Sequence, residues 1–417
     1  MAEAENFDIS AAPITTGAAG RTGATGLQDK PNVVSRFLGL LMALASIAAI
    51  VPMAVLSFAW YGAASLLAKI RPLHSAYRFL SLTYDTWLER LGQKTLRDPR
   101  DTPALRIMVS LTVTALPILV IQLVLGKPQP LLAIAFYLSL YGGKFQRFVR
   151  MFSAKHLEAH RPKGYFSDKY DRIFGRYIEF FLGYLYGNVP ELDRTAHVRL
   201  HHLEDGGLDD TMSSREFDRT SRLDFLWYLS DNIWIVLGLA PYAYFKAKGD
   251  EKNRKRMLLG MAGYYAYLAA IFIYSWKIGI EVVLIPLLCM NVITAITAWV
   301  QHAFYDPERS EDYFAHTVTV LDEVNFMNEG YHLCHHHRSG LHWTDMPAHL
   351  ERLRDKMRES GSLVFRDLDF MDLFIELTLL RRMDLLAEKL VPWEPMNHEQ
   401  RLALLAQRTR PANVLPA

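Results

Sequence analysis

The sequence is short of cysteine and of net charge, and both shortages exclude classes of protein. Its 417 residues include two cysteines, Cys289 and Cys334, so nothing indicates a disulfide framework or an oxidising compartment. The 46 basic and 44 acidic side chains nearly cancel, and a net charge of +2 does not indicate a nucleic acid as partner. Residues 1–32 lack hydrophobic periodicity and are too polar for a secretory signal peptide, so we predict a disordered tail there.

Apolar runs, in contrast, are abundant, and they predict a membrane protein. Hydrophobic residues make up 51% of the chain although 22% of it is charged, because long apolar runs alternate with strongly charged segments. A membrane-spanning helix needs about 20 mostly apolar residues. The runs at 106–125, 257–276 and 278–300 meet this requirement.

Three other apolar runs leave alternatives open. The run at 37–68 contains Pro52 and predicts either one long span or a re-entrant hairpin. The run at 131–143 is short, and we expect its helix to continue past Gly143. The stretch 225–245 contains polar residues and a proline, which predicts an interfacial or re-entrant helix as readily as a full span.

Basic residues predict the orientation of these runs. They crowd before 106–125 and within 144–163 and 246–256, whereas the loops GKPQP and SWKIG are nearly neutral. Because Lys and Arg are enriched in cytoplasmic flanks, we predict two transmembrane hairpins whose tips face away from the cytoplasm. The predicted fold is therefore an all-α membrane protein with an N-terminal membrane segment, two transmembrane hairpins and a cytoplasmic helical cap that carries the histidines.

Histidines are the clearest chemical signal in the sequence. Neutral imidazole is the commonest metal-ligating side chain, and a spacing of three or four places two side chains on one helix face. Three clusters have this spacing, in the segments HLEAH, HVRLHH and HLCHHH, and one further histidine follows the last apolar run in QHAFYD. The predicted metal ligands are His156, His160, His197, His201, His202, His302, His332, His335 and His336.

The other histidines and the neighbouring acids receive lesser roles. One histidine pair or one run of three is weak evidence, because surfaces and metal-scavenging tracts contain them too. Three clusters predicted on one side of the membrane favour a common metal site. We expect supporting or surface roles for His316 and His337, and structural roles for His74, His342, His349 and His398. Carboxylates that orient ligand imidazoles are candidates at Glu158, Glu204, Asp205, Asp209, Asp210, Asp322 and Glu323.

The three clusters have the forms HxxxH, HxxxHH and HxxHH, and they resemble the histidine boxes of the membrane fatty-acid desaturase and hydroxylase superfamily. The resemblance covers residues 104–350, and NEGYHLCHH is similar to the third box of lipid desaturases. WVQHAFYD lies where members often have another ligand, but Ala298 replaces the asparagine of stearoyl-CoA-type members, so no ligand bridged through that asparagine is expected. The sequence has no HPGG motif, so a fused cytochrome b5 domain is not expected either.

The resemblance, rather than the ligand type, suggests the metal. Imidazole binds iron, copper, zinc and nickel alike. The resemblance implies two iron ions, O2 as co-substrate, a fatty-acyl or lipid substrate and an external electron donor of the ferredoxin or cytochrome type. No catalytic residues are predicted beyond the metal ligands, and the apolar runs with their basic flanks predict a multi-pass membrane protein with its active site on the cytoplasmic side.

Several functions are compatible with these residues. The leading hypothesis is an O2-dependent fatty-acyl desaturase, and a hydroxylase, an acetylenase or a terminal-alkene-forming decarboxylase would use the same ligands. A membrane metal transporter and a non-catalytic scaffold are alternatives of other classes, although transport favours polar groups near the middle of the bilayer. We predict a tail over 1–32, a desaturase-like domain over 33–350 and, over 351–417, amphipathic helices and a polar tail. The helix predicted at 370–390 lies on the membrane or closes the cap.

Overall fold

The structure, a computed structural model, describes residues 33–207, 209–309, 312–322 and 325–412. The predicted tail over 1–32 and the candidate carboxylate Glu323 lie outside these residues. The chain forms two compact units. Unit 1 contains the described residues of Met1–Ala43, Arg194–Arg256 and Asn291–Ala417, and unit 2 contains Leu44–Asp193 and Met257–Met290.

Helices make up most of the described chain, as the sequence predicts. In the first half they are α1 (Val33–Leu67), α2 (Arg71–Thr95), α3 (Thr102–Leu125), α4 (Pro130–Tyr141), α5 (Gln146–Ala159), α6 (Asp168–Phe174), α7 (Tyr177–Phe180) and α8 (His202–Glu204). In the second half they are α9 (Arg222–Val236), α10 (Leu239–Ala247), α11 (Glu251–Tyr274), α12 (Trp276–Gly279), α13 (Ile285–Gln301), α14 (Tyr313–His316), α15 (His332–His337), α16 (Met346–Glu359), α17 (Phe370–Phe374), α18 (Met383–Lys389) and α19 (His398–Arg408).

Wider and tighter helical segments interrupt this pattern. The π-helical segments are Asp193–His201, Ile280–Leu284 and Ile375–Leu379. The 3₁₀ turns are Pro99–Asp101, Gly143–Phe145, Leu182–Tyr186, Pro307–Arg309, Phe326–Asn328 and Trp343–Asp345. The all-α prediction missed one short parallel ladder in unit 1, in which β1 (Thr319–Leu321) pairs with β2 (Val364–Arg366) and Thr319 lies opposite Val364.

Four helical segments of the described chain are long and apolar enough to cross a membrane, which is consistent with the predicted all-α membrane protein. They are Val33–Leu67, Pro99–Leu125, Glu251–Tyr274 and Trp276–Gln301. The first continues through Pro52 as one helix, so it is not the re-entrant hairpin that we considered. Helices α9 and α10 would add a fifth span if they act together, although they are bent by 73° at Gly238.

The predicted continuation of the helix past Gly143 is wrong. Helix α4 has 12 residues and ends at Gly142, whose φ of 65° suits a residue without a Cβ. The buried Ser57 of α1 satisfies the backbone groups at this break. Its hydroxyl donates to the carbonyl of Gly142 at 2.5 Å and accepts from the amide of Phe145 at 2.9 Å. The chain therefore turns at the break and restarts as α5.

The predicted C-terminal helices form, but the second is not continuous. The first corresponds to α16, whose apolar face packs on α15 through a core that includes Leu333, Leu350 and Met357. The stretch 370–390 divides into α17, its π-helical extension and α18, and the division lies at Arg381, whose φ is 55°. The packing of α16 and the β1–β2 ladder fix α15, which carries the third histidine cluster, within unit 1.

Candidate metal centre

The second histidine cluster lies on a π-helical segment, and this changes which imidazoles meet. An α-helix would place His197 and His201 on one face. In a π-helix the backbone bonds run from residue i to i+5, and here the ring of His197 meets the ring of His202 edge to face, with centroids 4.5 Å apart. The Nε2 atoms of His197 and His202 are 2.9 Å apart, whereas His201 turns toward other histidines.

In unit 1, the imidazoles of His197, His202 and His335 face one another, and we call these three residues group A. Nε2 of His335 lies 3.0 Å from Nε2 of His202 and 3.3 Å from Nε2 of His197. All three side chains are buried. Three ring nitrogens therefore converge on one point from the π-helical segment, α8 and α15.

His201, His302, His332 and His336 form the second cluster of unit 1, group B. One ring nitrogen from each lies within 4.8 Å of the others. Nε2 of His332 is 3.1 Å from Nε2 of His336 and 3.3 Å from Nε2 of His302. Group B thus takes one histidine from the π-helical segment, one from the position after α13 and two from α15.

The spacing of these nitrogens fits a shared metal ion. A metal–imidazole bond is about 2.1 Å long, so two nitrogens at right angles around one ion lie about 3 Å apart. The Nε2 separations of 2.9 to 3.3 Å in groups A and B match this value. Each nitrogen of a neutral imidazole carries either a proton or a lone pair, so three or four nitrogens that converge on one point cannot all be paired with one another, whereas a shared metal ion can accept all of their lone pairs.

The HLEAH segment, which is the first histidine cluster along the sequence, lies in unit 2. His156 and His160 are near the C-terminal end of α5, on one face as their spacing predicts, and their ring centroids are 5.1 Å apart. His160 is buried and His156 is half-buried. Between them Glu158 is fully buried, and one carboxylate oxygen accepts the backbone amide of Glu179 at 2.9 Å. Burial raises the pKa of Glu158 to about 8.

Two of the candidate carboxylates hold group B imidazoles by the other ring nitrogen. Nδ1 of His201 donates to Oδ2 of Asp210 at 2.7 Å, and Nδ1 of His336 donates to Oδ1 of Asp205 at 3.0 Å. Asp210 is itself fixed, because it accepts the backbone amides of Gly206 and Met212. Both contacts leave Nε2 as the free ligand nitrogen, which is how acidic residues orient metal-binding histidines.

A backbone carbonyl orients the imidazole of His302 in the same way. The carbonyl of His316 accepts a hydrogen bond from the His302 imidazole. His316 was expected to have a supporting or surface role, and it is buried beside the group. Its carbonyl leaves no trace in the sequence, because every residue has one.

The electrostatics of group B keep two of its imidazoles, His302 and His336, in the neutral form that metal binding requires. Burial, assisted by the neighbouring His201, lowers the pKa of His302 to about 3. Burial and the surrounding imidazoles also hold the pKa of His336 well below its usual range. Burial opposes the charge of His201 too, but the attraction and hydrogen bond of Asp210 outweigh it and raise the pKa of His201.

The remaining candidates lie away from these contacts. Glu204 and Asp209 form ion pairs with Lys248, at 3.3 and 2.8 Å. Nδ1 of His337 lies 3.0 Å from Nε2 of His349, in a pair that contains no predicted ligand. His337 is half-buried although it follows His336 directly.

A small pocket lies against group B in unit 1. His201 and His302 form part of its wall, and the other lining residues are Gly206, Asp210, Met212, Ser213, Ser214, Arg215, Tyr305 and His316. The guanidinium of Arg215 contacts the Tyr305 hydroxyl and stacks over its ring at 4.5 Å.

The comparison with protein families agrees with the geometry. The model of the fatty acid desaturase family matches residues 128–367, more than half of the chain. The chain therefore belongs to the fatty acid desaturase family. Searches of curated proteins and of solved structures found no match. The matched range contains all nine histidines predicted as ligands, whereas α1 to α3 and the residues after 367 lie outside it.

Proposed function

We propose that this protein is an O2-dependent lipid desaturase that holds two iron ions between its histidines. The observation that carries the proposal is the presence of two adjacent histidine groups, A and B, in a chain of the fatty acid desaturase family. Group B supplies four ligands to one ion. We propose that His156 and His160 join the three histidines of group A around the other ion, as the order of the three boxes suggests.

The residues of the chain have separate tasks in this reaction. The chemistry that two bound irons supply is the activation of O2, which gives an oxidant strong enough to remove hydrogen from an unactivated methylene. Burial shields most of these imidazoles from water and keeps His302 and His336 neutral. Asp205 and Asp210 fix two rings so that each presents Nε2 inward. No side chain is required as an acid or nucleophile toward the methylene.

The surroundings of the site support a membrane-bound acyl substrate. His302 directly follows the span Trp276–Gln301, so one ligand lies where an acyl chain can leave the bilayer. None of the nine predicted ligands lies inside the four candidate spans of the described chain, which disfavours a conduction path for metal ions. We further propose a cytoplasmic active site, supplied with electrons by a ferredoxin- or cytochrome-type protein.

The reaction outcome is tested with a deuterated fatty acid, because desaturation and hydroxylation begin with the same hydrogen abstraction. We expect cells that express the protein to release two deuteriums from adjacent carbons without adding oxygen. Incorporation of one oxygen atom from ¹⁸O₂ would identify a hydroxylase, and a terminal alkene shortened by one carbon would identify a decarboxylase. A triple bond would identify an acetylenase.

The metal is tested on the purified protein with a matched pair of variants. His335 and His337 lie two residues apart in α15, but only His335 belongs to a group. We expect His335→Ala to lower the iron content and abolish activity, and His337→Ala to keep both. Full iron and activity in His335→Ala, or zinc in place of iron in the natural protein, would contradict the proposal.

A further inference from the structure

Helix α19 lies beyond the range matched by the family, yet one of its last residues reaches the loop that follows His302. Arg408 is 5% exposed. Its Nη2 donates to Oδ2 of Asp306 at 2.7 Å, and its Nη1 donates to the carbonyl of Gly361 at 2.7 Å. A buried guanidinium with a single carboxylate partner and carbonyl acceptors has a fixed position, because it loses those bonds if the loop shifts.

The backbone of Arg408 holds the same loop from its other side. Its carbonyl accepts the amide of Tyr305 at 2.8 Å and Nη2 of Arg219 at 2.9 Å. Nε of the fully buried Arg219 donates to the carbonyl of Ala303 at 3.0 Å. Every residue from 303 to 306 except Phe304 is thus bonded to Arg408 or to Arg219.

Arg408 also approaches the segment whose carbonyl orients His302. Its Nη1 lies 3.4 Å from the carbonyl oxygen of Ala315, one residue before His316. The amide of Asp306 donates to Nδ1 of His316 at 3.3 Å. A single side chain therefore connects the loop that leaves His302 with the segment that accepts the hydrogen bond of its imidazole.

We infer that Arg408 is a positioning residue for His302, and that helix α19 contributes to the geometry of the metal site through this residue. The inference rests on the proposed function, because it takes His302 as a ligand. Arg408 touches neither the ligand nitrogens nor the substrate. It sets the direction of the His302 imidazole through Asp306, Ala315 and the backbone of Tyr305. Loss of the guanidinium leaves Asp306 buried with one bonding partner fewer and releases both segments that border His302.

The test compares two arginines of the same helix. Arg401 instead donates to the carbonyls of Met396, Ala387 and Leu390, which all lie outside the loop that follows His302. Full-length protein in detergent is loaded with ferrous iron under argon and then mixed with a colorimetric ferrous chelator. We expect Arg408→Met to release the iron of group B about tenfold faster than the natural protein, since residues that orient a ligand change metal affinity by about 10–100-fold. We expect Arg401→Met to release iron at the natural rate.

Two further variants keep the test decisive if Arg408→Met does not fold. Asp306→Asn removes the same ion pair from the other side and should also release iron about tenfold faster. Arg408→Lys keeps the positive charge but loses the forked guanidinium. Its rate of iron release should therefore lie between those of the natural protein and Arg408→Met. If Asp306→Asn and Arg408→Met both release iron at the rate of the natural protein, or if Arg401→Met releases it fast, the inference is overturned and the proposed function is unaffected. A natural protein that binds no iron would overturn the proposed function and the inference with it.

Discussion

At the scale of single residues, the site depends on which of two neighbouring carboxylates touches an imidazole. Asp209 and Asp210 are equivalent candidates in the sequence. In the structure Asp210 accepts from His201 at 2.7 Å, whereas Asp209 pairs with Lys248 at 2.8 Å. One residue of separation therefore divides an orienting contact from an ordinary ion pair, and spacing alone does not distinguish them.

This difference predicts the effect of two matched substitutions. Asp210→Asn removes the charge that holds the His201 imidazole with Nε2 inward, so we expect iron affinity to fall by about 10–100-fold. Asp209→Asn should leave iron affinity within about twofold, because the carboxylate of Asp209 pairs with Lys248 and orients no imidazole of group A or B. Competition with a ferrous chelator measures both. Equal affinities in the two variants would show that the contact with His201 is not functional.

The sequence predicted several side chains that the structure brings together, but no backbone group. Spacing singled out six of the seven histidines in groups A and B, His302 was predicted from its position after the last apolar run, and the acid candidates included Asp205 and Asp210. The carbonyl of His316 and the arginine in α19 had no such signal, because their roles arise from contacts between distant parts of the chain. Only side-chain type and local spacing can be read before the chain is folded.

At the scale of elements, the π-helical segment Asp193–His201 decides the membership of the two groups. Its wider turn pairs His197 with His202 and leaves His201 to group B. The sequence predicted an α-helix there, since α and π segments share the same residue preferences and the extra residue is accommodated only by tertiary contacts. Such segments are frequent at functional sites.

Deletion of Arg199 tests the importance of the wider turn. Arg199 is exposed, so its side chain contributes little to the core, but its removal shortens the spacing between His197 and His202 from five to four. We expect the deleted chain to lose iron from group A, whereas Arg199→Ala should keep it. Iron content and circular dichroism of both proteins distinguish a rearranged site from unfolding. Natural iron content in the deleted chain would contradict this role.

The break between α4 and α5 is a second element that local pattern did not reveal. The apolar run favoured a continuous helix, but Gly142 and the hydroxyl of Ser57 allow the chain to turn. Ser57 lies 85 residues before Gly142, and this separation places the contact beyond any window of sequence analysis. The direction of α5, and with it of His156 and His160, depends on this turn.

At the scale of the whole molecule, apolar length predicted the spans and basic flanks predict their orientation. We expect cysteines introduced at Lys163 and Lys252 to be labelled from the cytoplasm, and cysteines at Lys127 and Lys277 from the opposite side, because basic flanks are retained in the cytoplasm. All four lysines are exposed, and the two natural cysteines are buried and supply a low background. Labelling of Lys127 and Lys163 positions from one side would contradict the two-hairpin topology.

Groups A and B draw their ligands from neighbouring residues at two places. His201 and His202 belong to different groups, and so do His335 and His336. Consecutive Cα atoms are 3.80 Å apart whatever the rest of the protein does, so the peptide bonds His201–His202 and His335–His336 tie the two groups to each other. A small movement of the π-helical segment or of α15 would therefore displace both groups together and leave the spacing between them nearly unchanged.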